Sequence, residues 1–206
     1  LKFINLLNVQ KDKKILDIAC GTGFLLNAAE KKGAKTYGID ISKEGVAIAR
    51  KIAKKSHIVI GRGENLPFKD NFFDYITCNG SLEHFLNIPK GIKEMVRVGN
   101  SNARFCIVVP NRNYFGWVFK LKKGTSQRDI KEALFSLKEW KQLLQKNGLK
   151  IKSVHQDKWF MQEICLFQDY NPVNILFRLI RLCIWKILPL ELTYQFIFIC
   201  TKKVTP

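Results

Sequence analysis

The most constraining feature of this sequence is a glycine turn set between an apolar run and an apolar helical pattern. Ile15-Leu16-Asp17-Ile18-Ala19 leads into Cys20-Gly21-Thr22-Gly23, and Phe24–Lys32 then reads as a helix stopped by Gly33. A second apolar run, Lys35–Ile39, ends at Asp40, 17 residues after Gly23. A strand that breaks at glycines and turns at once into a helix lets its backbone approach a ligand closely, because no Cβ intervenes. An acid at the end of the next strand suits a ribose diol, two acceptor oxygens for two hydroxyls. The pattern therefore predicts parallel strands with an adenosine-type ligand across their ends.

The rest of the chain repeats the alternation. Ser42 caps a helix to about Lys55 that carries Val46, Ile48, Ala49 and Ile52, and His57–Ile60 is a third strand. Gly61, Gly63 and Pro67 mark the loop after it. Phe73–Cys78 is a fourth strand, and Asn79-Gly80-Ser81 turns it into a short helical stretch over Leu82–Phe85. Pro89 suits the first turn of a helix that carries Met95, Val96 and Val98. Phe105–Val109 is a fifth strand, stopped by Pro110. Ser136 and Glu139 form a capping box for a helix to Asn147, ended by Gly148. Leu149–Val154 and Tyr194–Cys200 read as the last two strands. Strands alternating with helices predict a doubly wound α/β sheet.

At roughly 150 residues per domain, a chain of 206 residues reads as one domain over 1–206. It begins at Leu1 rather than Met, which reads as a start cropped from a longer chain. Residues 159–192 read as a helical, lid-like insertion before the last strand, with Asn171–Leu190 strongly apolar but interrupted by Arg178, Arg181 and Lys186. That is too charged for a membrane span. Arg178 and Arg181 share one helical face near Phe177, Leu182 and Trp185, which admits peripheral membrane contact as well as packing over the sheet or against a second subunit in a homodimer.

Lys+Arg number 35 against 17 Asp+Glu, a net charge of +18. Such an excess admits a nucleic acid or an anionic surface as partner. However, the lysine runs are scattered, with little aromatic interleaving. Lysine also far outnumbers arginine, the residue that bidentate phosphate and base recognition favours. A nucleic-acid partner is disfavoured on those grounds. The 47% hydrophobic content excludes a disordered chain. Cys20, Cys78, Cys106, Cys165, Cys183 and Cys200 form no C-x-x-C pair and sit mostly in apolar runs. They read as buried, reduced thiols of a cytoplasmic protein.

The glycine turn also separates adenosine cofactors. A nicotinamide fingerprint needs a third glycine where Leu26 stands, and no G-x-x-x-x-G-K-[ST] phosphate loop is present. Asp17, just before the turn, suits an amino group rather than a phosphate. Here the sequence resembles the class I S-adenosylmethionine (SAM)-dependent methyltransferases, within the type 11 branch that includes ubiquinone and menaquinone methyltransferases. Asp17-Ile18-Ala19-Cys20-Gly21-Thr22-Gly23 is similar to that family's first motif, with Ala in place of its first Gly. Tyr37-Gly38-Ile39-Asp40-Ile41-Ser42 is similar to the second. Gly63-Glu64-Asn65-Leu66-Pro67-Phe68, Phe72-Phe73-Asp74, Ser81-Leu82-Glu83-His84 and Val108-Val109-Pro110-Asn111 follow in order, so the likeness runs from Ile15 to about Asn111.

The resemblance implies a Rossmann-like, three-layer α/β/α fold with strand order 3-2-1-4-5-7-6, the last strand antiparallel. It implies methyl transfer from SAM, with S-adenosylhomocysteine as product, to an O, N or C atom of a small, apolar or lipid-like molecule. Asp17 and the backbone of Ala19, Cys20, Gly21 and Gly23 would hold the methionine part of SAM. Asp40 would take the ribose and Ile41 the adenine. Gly63 and Glu64 would reach the adenine edge, where Arg62 replaces an acid that family members often have, and Asn79 would lie near the transferred methyl. A nucleic-acid methyltransferase and a non-catalytic SAM-fold binding module stand as alternatives, although Cys78-Asn79-Gly80-Ser81 lacks the Pro-Pro string of amino-directed DNA enzymes.

His84 is a candidate base for an attacking hydroxyl, beside the plainer reading of a structural residue on a short helix. Asn111, Tyr114 and Trp117, with His84, are candidate substrate contacts. No metal is expected. Glu83 and His84 need another close ligand, and Gly80 stands where some quinone O-methyltransferases look acidic.

Overall fold

The computed structural model describes residues 2–115, 132–157 and 189–203. Seven strands form one sheet in the order β3-β2-β1-β4-β5-β7-β6. They are β1 (Lys14–Ile18), β2 (Lys35–Asp40), β3 (His57–Ile60), β4 (Phe73–Asn79), β5 (Gly99–Pro110), β6 (Leu149–Gln156) and β7 (Gln195–Lys202). The first five run parallel, while β7 is antiparallel to both its neighbours, as the resemblance implies. Five helices lie among the described residues: α1 (Lys2–Leu6), α2 (Phe24–Glu30), α3 (Lys43–Ile52), α4 (Ile88–Val98) and α5 (Leu137–Lys146). Both the Ser42 cap and the complete Ser136/Glu139 capping box form.

Alternating strand residues divide between two cores, because successive side chains point to opposite faces. In β5, Phe105, Ile107 and Val109 face α4 and α5, joining Ile92, Met95, Trp140 and Leu144. Cys106 and Val108 face the other way, with Ile4 and Leu7 near α1 and Ala29 of α2. The central strands thus have both faces covered, which explains their near-continuous apolar runs. Helix α1 and the polar first half of β5 escape the sequence reading. Lys2–Leu6 is too short for a period to show, and Gly99–Asn102 joins the strand through pairing of Gly99 with Phe73, at an irregularity before Tyr75.

The loop from Gly61 to Asn71 is tied to α4 by Arg97. Its guanidinium donates to Glu94, Asp70 and the carbonyls of Leu66 and Phe68, at 2.6–2.9 Å. A wedge stands beside it. The Phe85 ring packs so close to Gly63 and Gly91 that an added Cβ would come within 2.3 Å of it at Gly63 and 2.4 Å at Gly91. In a helix interior, Gly→Ala ordinarily stabilises by about 1 kcal/mol. In α4 the sign should reverse, because the ring cannot retreat from Gly91 without meeting Gly63. Overpacking should leave Gly91→Ala about 1–2 kcal/mol less stable, with Tm down by about 2–8 °C. Adding Phe85→Leu should recover part of the loss, and an unchanged or raised Tm in the single variant would refute the wedge.

Candidate functional site

The sheet order reverses direction between β1 and β4, and in open α/β sheets the crevice outside such a switch point is where ligands sit. Two glycines flank it, each at the end of one of those strands. Gly21 has φ 50° and Gly80 φ 61°, and a Cβ on either would meet nothing within 4 Å. Ala19 holds φ 56°, a left-handed value that costs a non-glycine residue roughly 1 kcal/mol. That strain explains the glycine usual in the family at this place.

Asp17 closes the floor. It is 4% exposed, and Thr77 Oγ1 donates to its Oδ1 at 2.6 Å. Burial raises its pKa to about 7, with the Thr77 hydrogen bond opposing the rise and the charge of Asp40 adding to it. A carboxylate held that way gains by meeting an ammonium. Asp40 instead shapes the rim. Its Oδ2 accepts from Gly21 N–H at 2.7 Å and its Oδ1 from Ser42 N–H at 2.9 Å. One acid thereby fixes the glycine turn and the start of α3 together. A carboxylate has about four lone-pair sites, so each oxygen keeps capacity for a ribose hydroxyl.

Ile41 is 70% exposed at the end of β2, open to pack on a flat ring. The side chain of Cys20 turns inward beside Gly38, and its thiol is pushed up to about 12 by burial, then by the charges of Asp17 and Asp40. Only its backbone faces the turn. Gly23 is explained by packing, since a Cβ there would lie 2.9 Å from Ala49 of α3. Leu26, at the third-glycine position, drives a methyl into the space that Gly38 leaves open on β2, 2.7 Å from where a Cβ would stand. The close helix–strand approach is kept, with the glycine moved from helix to strand. An open cradle, a buried acid and an exposed apolar side chain fit SAM.

The other expected residues lie around this crevice and beyond it. Gly63 is buried against Phe85, and Glu64 Oε1 accepts from Leu86 N–H at 2.8 Å, tying the adenine loop to the segment after β4. Asn79 ends β4, exposed, with its carbonyl accepting from Ser81 Oγ. Asn111 is fully buried. Its amide donates to the carbonyls of Glu191 and Thr193 at 2.7 Å, and its Oδ1 accepts from Asn113 N–H. These bonds tie the end of β5 to the segment that leads into β7. Tyr114 stacks edge-on against Tyr194 at 5.1 Å, and burial raises its pKa. Trp117, Cys165, Cys183 and residues 159–188 of the expected insertion lie outside the described residues. Cys20, Cys78, Cys106 and Cys200 are free and buried. Among the described residues, no helix is long and apolar enough to cross a membrane.

The sequence reading misses Thr77 and Glu132. Thr77 is the only threonine or serine of β4, beside Asp17 in the paired register. Glu132 comes from the segment before α5 and joins Glu83 and His84, one ligand atom of each within 4.8 Å of the others. Glu83 is 2% exposed, and burial, with a smaller contribution from the charge of Glu132, raises its pKa to about 8.

Comparison with known proteins agrees with this geometry. Residues 16–107 match the profile of a methyltransferase domain. The chain is 29% identical over 157 residues to the uncharacterized methyltransferase YcgJ of Bacillus subtilis, covering 72% of this chain and 60% of that one. It is 36% identical over 100 residues to the demethylmenaquinone methyltransferase of a Geobacillus species, covering 45% of this chain and 43% of that one. The chain thus spans roughly half the length of these curated relatives. A SAM-dependent methyltransferase structure from Aquifex aeolicus superimposes with a TM-score of 0.65 at 18% identity, over 98% of this chain and 88% of that one. The ordered motifs, the strand order and the crevice between β1 and β4 agree with these likenesses: residues 16–107 match a methyltransferase domain, and the chain shares the fold of the SAM-dependent methyltransferase from Aquifex aeolicus.

Proposed function

We propose that this protein transfers the methyl group of SAM to a small molecule with an apolar body. The observation that carries the reading is the crevice at the switch point, with buried Asp17 below it, Asp40 on its rim and open space at Gly21 and Gly80. SAM supplies the activated methyl. The protein has to orient the acceptor in line with it and keep water out. Asp17 would neutralise the cofactor's ammonium and Asp40 would fix its ribose.

The surface supports an apolar acceptor. The exposed large apolar side chains among the described residues are Phe24, Ile41, Ile48, Ile60, Leu86, Phe115 and Leu192. All but Ile48, which lies within α3, stand at the edge where the parallel strands end. Demethylmenaquinone methyltransferases among the relatives agree with such an acceptor. The scattered lysines and the absence of an amino-directed DNA string give no support to a nucleic-acid substrate.

Calorimetric titration with SAM and with S-adenosylhomocysteine tests the cofactor half, with a Kd in the range of about 1–100 μM expected. No heat up to about 1 mM ligand would end the reading. Transfer of radiolabelled methyl to a panel of quinols, phenols and amines then tests the acceptor. If only polar acceptors are labelled, the apolar-body proposal fails.

A further inference from the structure

The short helical turn Leu82–His84 follows β4 at the same edge as the crevice. It is pinned to a distant segment by Ala133 N–H, which donates to the Glu83 carbonyl at 2.9 Å. That bond delivers Glu132 to Glu83 and His84, with one ligand atom of each within 4.8 Å of the other two. Among the described residues, Glu83 Oε2 is buried without a hydrogen-bond partner, and so is His84 Nδ1. His84 Nε2 stands 4.0 Å from Glu83 Oε1, too far for a hydrogen bond between them. A carboxylate that is 2% exposed and short of donors is costly to bury, and the cost vanishes when a cation takes its free oxygen.

We propose that Glu83, His84 and Glu132 form a binding site for one divalent cation of the Mn²⁺ or Zn²⁺ type. An imidazole with two carboxylates matches such borderline ions better than the all-oxygen sets of Ca²⁺. With ligand atoms about 2.0–2.2 Å from the ion, donor atoms stand about 3–4.4 Å apart. Atoms now within 4.8 Å would have to close by less than about 2 Å, which side-chain rotation supplies. Three protein ligands leave coordination positions for water or an acceptor oxygen.

Resting on the methyl-transfer reading, this narrows the acceptor to an oxygen with a dissociable proton. The bound ion draws charge from the O–H bond and the proton leaves to solvent. The oxygen lone pair then forms the new bond to the methyl carbon, while the S–C bond breaks and the sulfonium becomes a thioether.

The test uses the full chain stripped with chelator, in the absence of SAM. Titration with MnCl2, ZnCl2 and MgCl2, followed by calorimetry and by Mn²⁺ electron paramagnetic resonance, should show one saturable site. A Kd below about 100 μM for Mn²⁺ or Zn²⁺ is expected, with weaker binding of Mg²⁺. Glu83→Gln and Glu132→Gln should each weaken binding by about tenfold or more. Should Glu83→Gln fail to fold, the less buried Glu132→Gln and His84→Gln carry the test. No saturable binding, or binding that survives Glu132→Gln and His84→Gln, overturns the site. So does a thermal stability that no added metal raises, the result expected if the two carboxyls merely share a proton. A parallel SAM titration of the same variants separates the two readings. Loss of SAM binding in the wild type removes methyl transfer and leaves the metal site standing, and the converse result does the reverse.

Discussion

Asp17→Asn is expected to weaken SAM binding by about 100-fold while making the free protein more stable. Both effects come from the same burial. An ordinary aspartate loses its proton near 3.8, and this one near 7. Between those values the unfolded chain is ionised at this residue and the folded chain is not. Folding stability from Asp17 therefore falls as pH rises through that window and is level above it. Asparagine has no proton to lose and keeps an oxygen for the Thr77 hydroxyl. At about pH 8 the variant should gain about 2–4 kcal/mol, or about 4–16 °C in Tm, and at about pH 4 the gain should nearly vanish. The ligand sees the opposite sign. A cofactor ammonium favours the ionised form, so wild-type affinity should rise as pH passes about 7. Losing a charge-assisted contact in a buried site costs about 1.5–3 kcal/mol, which is where the 100-fold comes from. Thermal melts at the two pH values check the first half and calorimetry the second. A variant that binds SAM normally would remove Asp17 from the site.

Asp40→Ala should also cost about 100-fold or more in SAM affinity, with stability moving the other way. Its two oxygens accept from Gly21 N–H and Ser42 N–H at 2.7 and 2.9 Å. Alanine leaves both donors to water. At about 1 kcal/mol for each partly buried bond, Tm should fall by about 4–8 °C. The glycine turn loses its shape as the ribose loses its acceptor, so the affinity loss combines two causes. Asp40→Asn keeps one acceptor oxygen and should fall between the two on both measures. An unchanged Tm would mean that water replaces both bonds, and an unchanged Kd would take Asp40 out of cofactor binding. The pair of variants is thus diagnostic, since loss of affinity comes with added stability at Asp17 and with lost stability at Asp40.

What was legible from sequence follows from how local each feature is. The glycine turn, the Ser42 cap, the Ser136/Glu139 box and the acid at the end of β2 are contained within a few residues, and each formed as read. Strand order could be carried over through a chain of ordered motifs, because together they specify a family fold. Asn111 has partners that no local pattern shows. Its place in an aromatic and polar loop suggested a substrate contact, yet its amide is spent on Glu191 and Thr193, which only the antiparallel return of β7 brings near. Glu132 was invisible for the same reason. Nothing near it in the chain marks it, and its partners arrive through a backbone bond between Ala133 and Glu83. The Phe85 wedge could not be read either, because its two glycines belong to separate elements.

The exchange of space between Leu26 and Gly38 bears on how this site could be redirected. Giving the turn its third glycine, as a dinucleotide site requires, means Leu26→Gly. That removes a fully buried side chain seated against a strand glycine and leaves a cavity costing about 3–5 kcal/mol. Filling the cavity from the strand with Gly38→Ala first is no easier, because the new methyl would press on both the Leu26 methyl and the Cys20 sulfur. Each single step passes through a damaged protein, and only the double change keeps the helix on the sheet. Cofactor choice in this chain is therefore protected by a two-residue lock, which a library of single substitutions would not open.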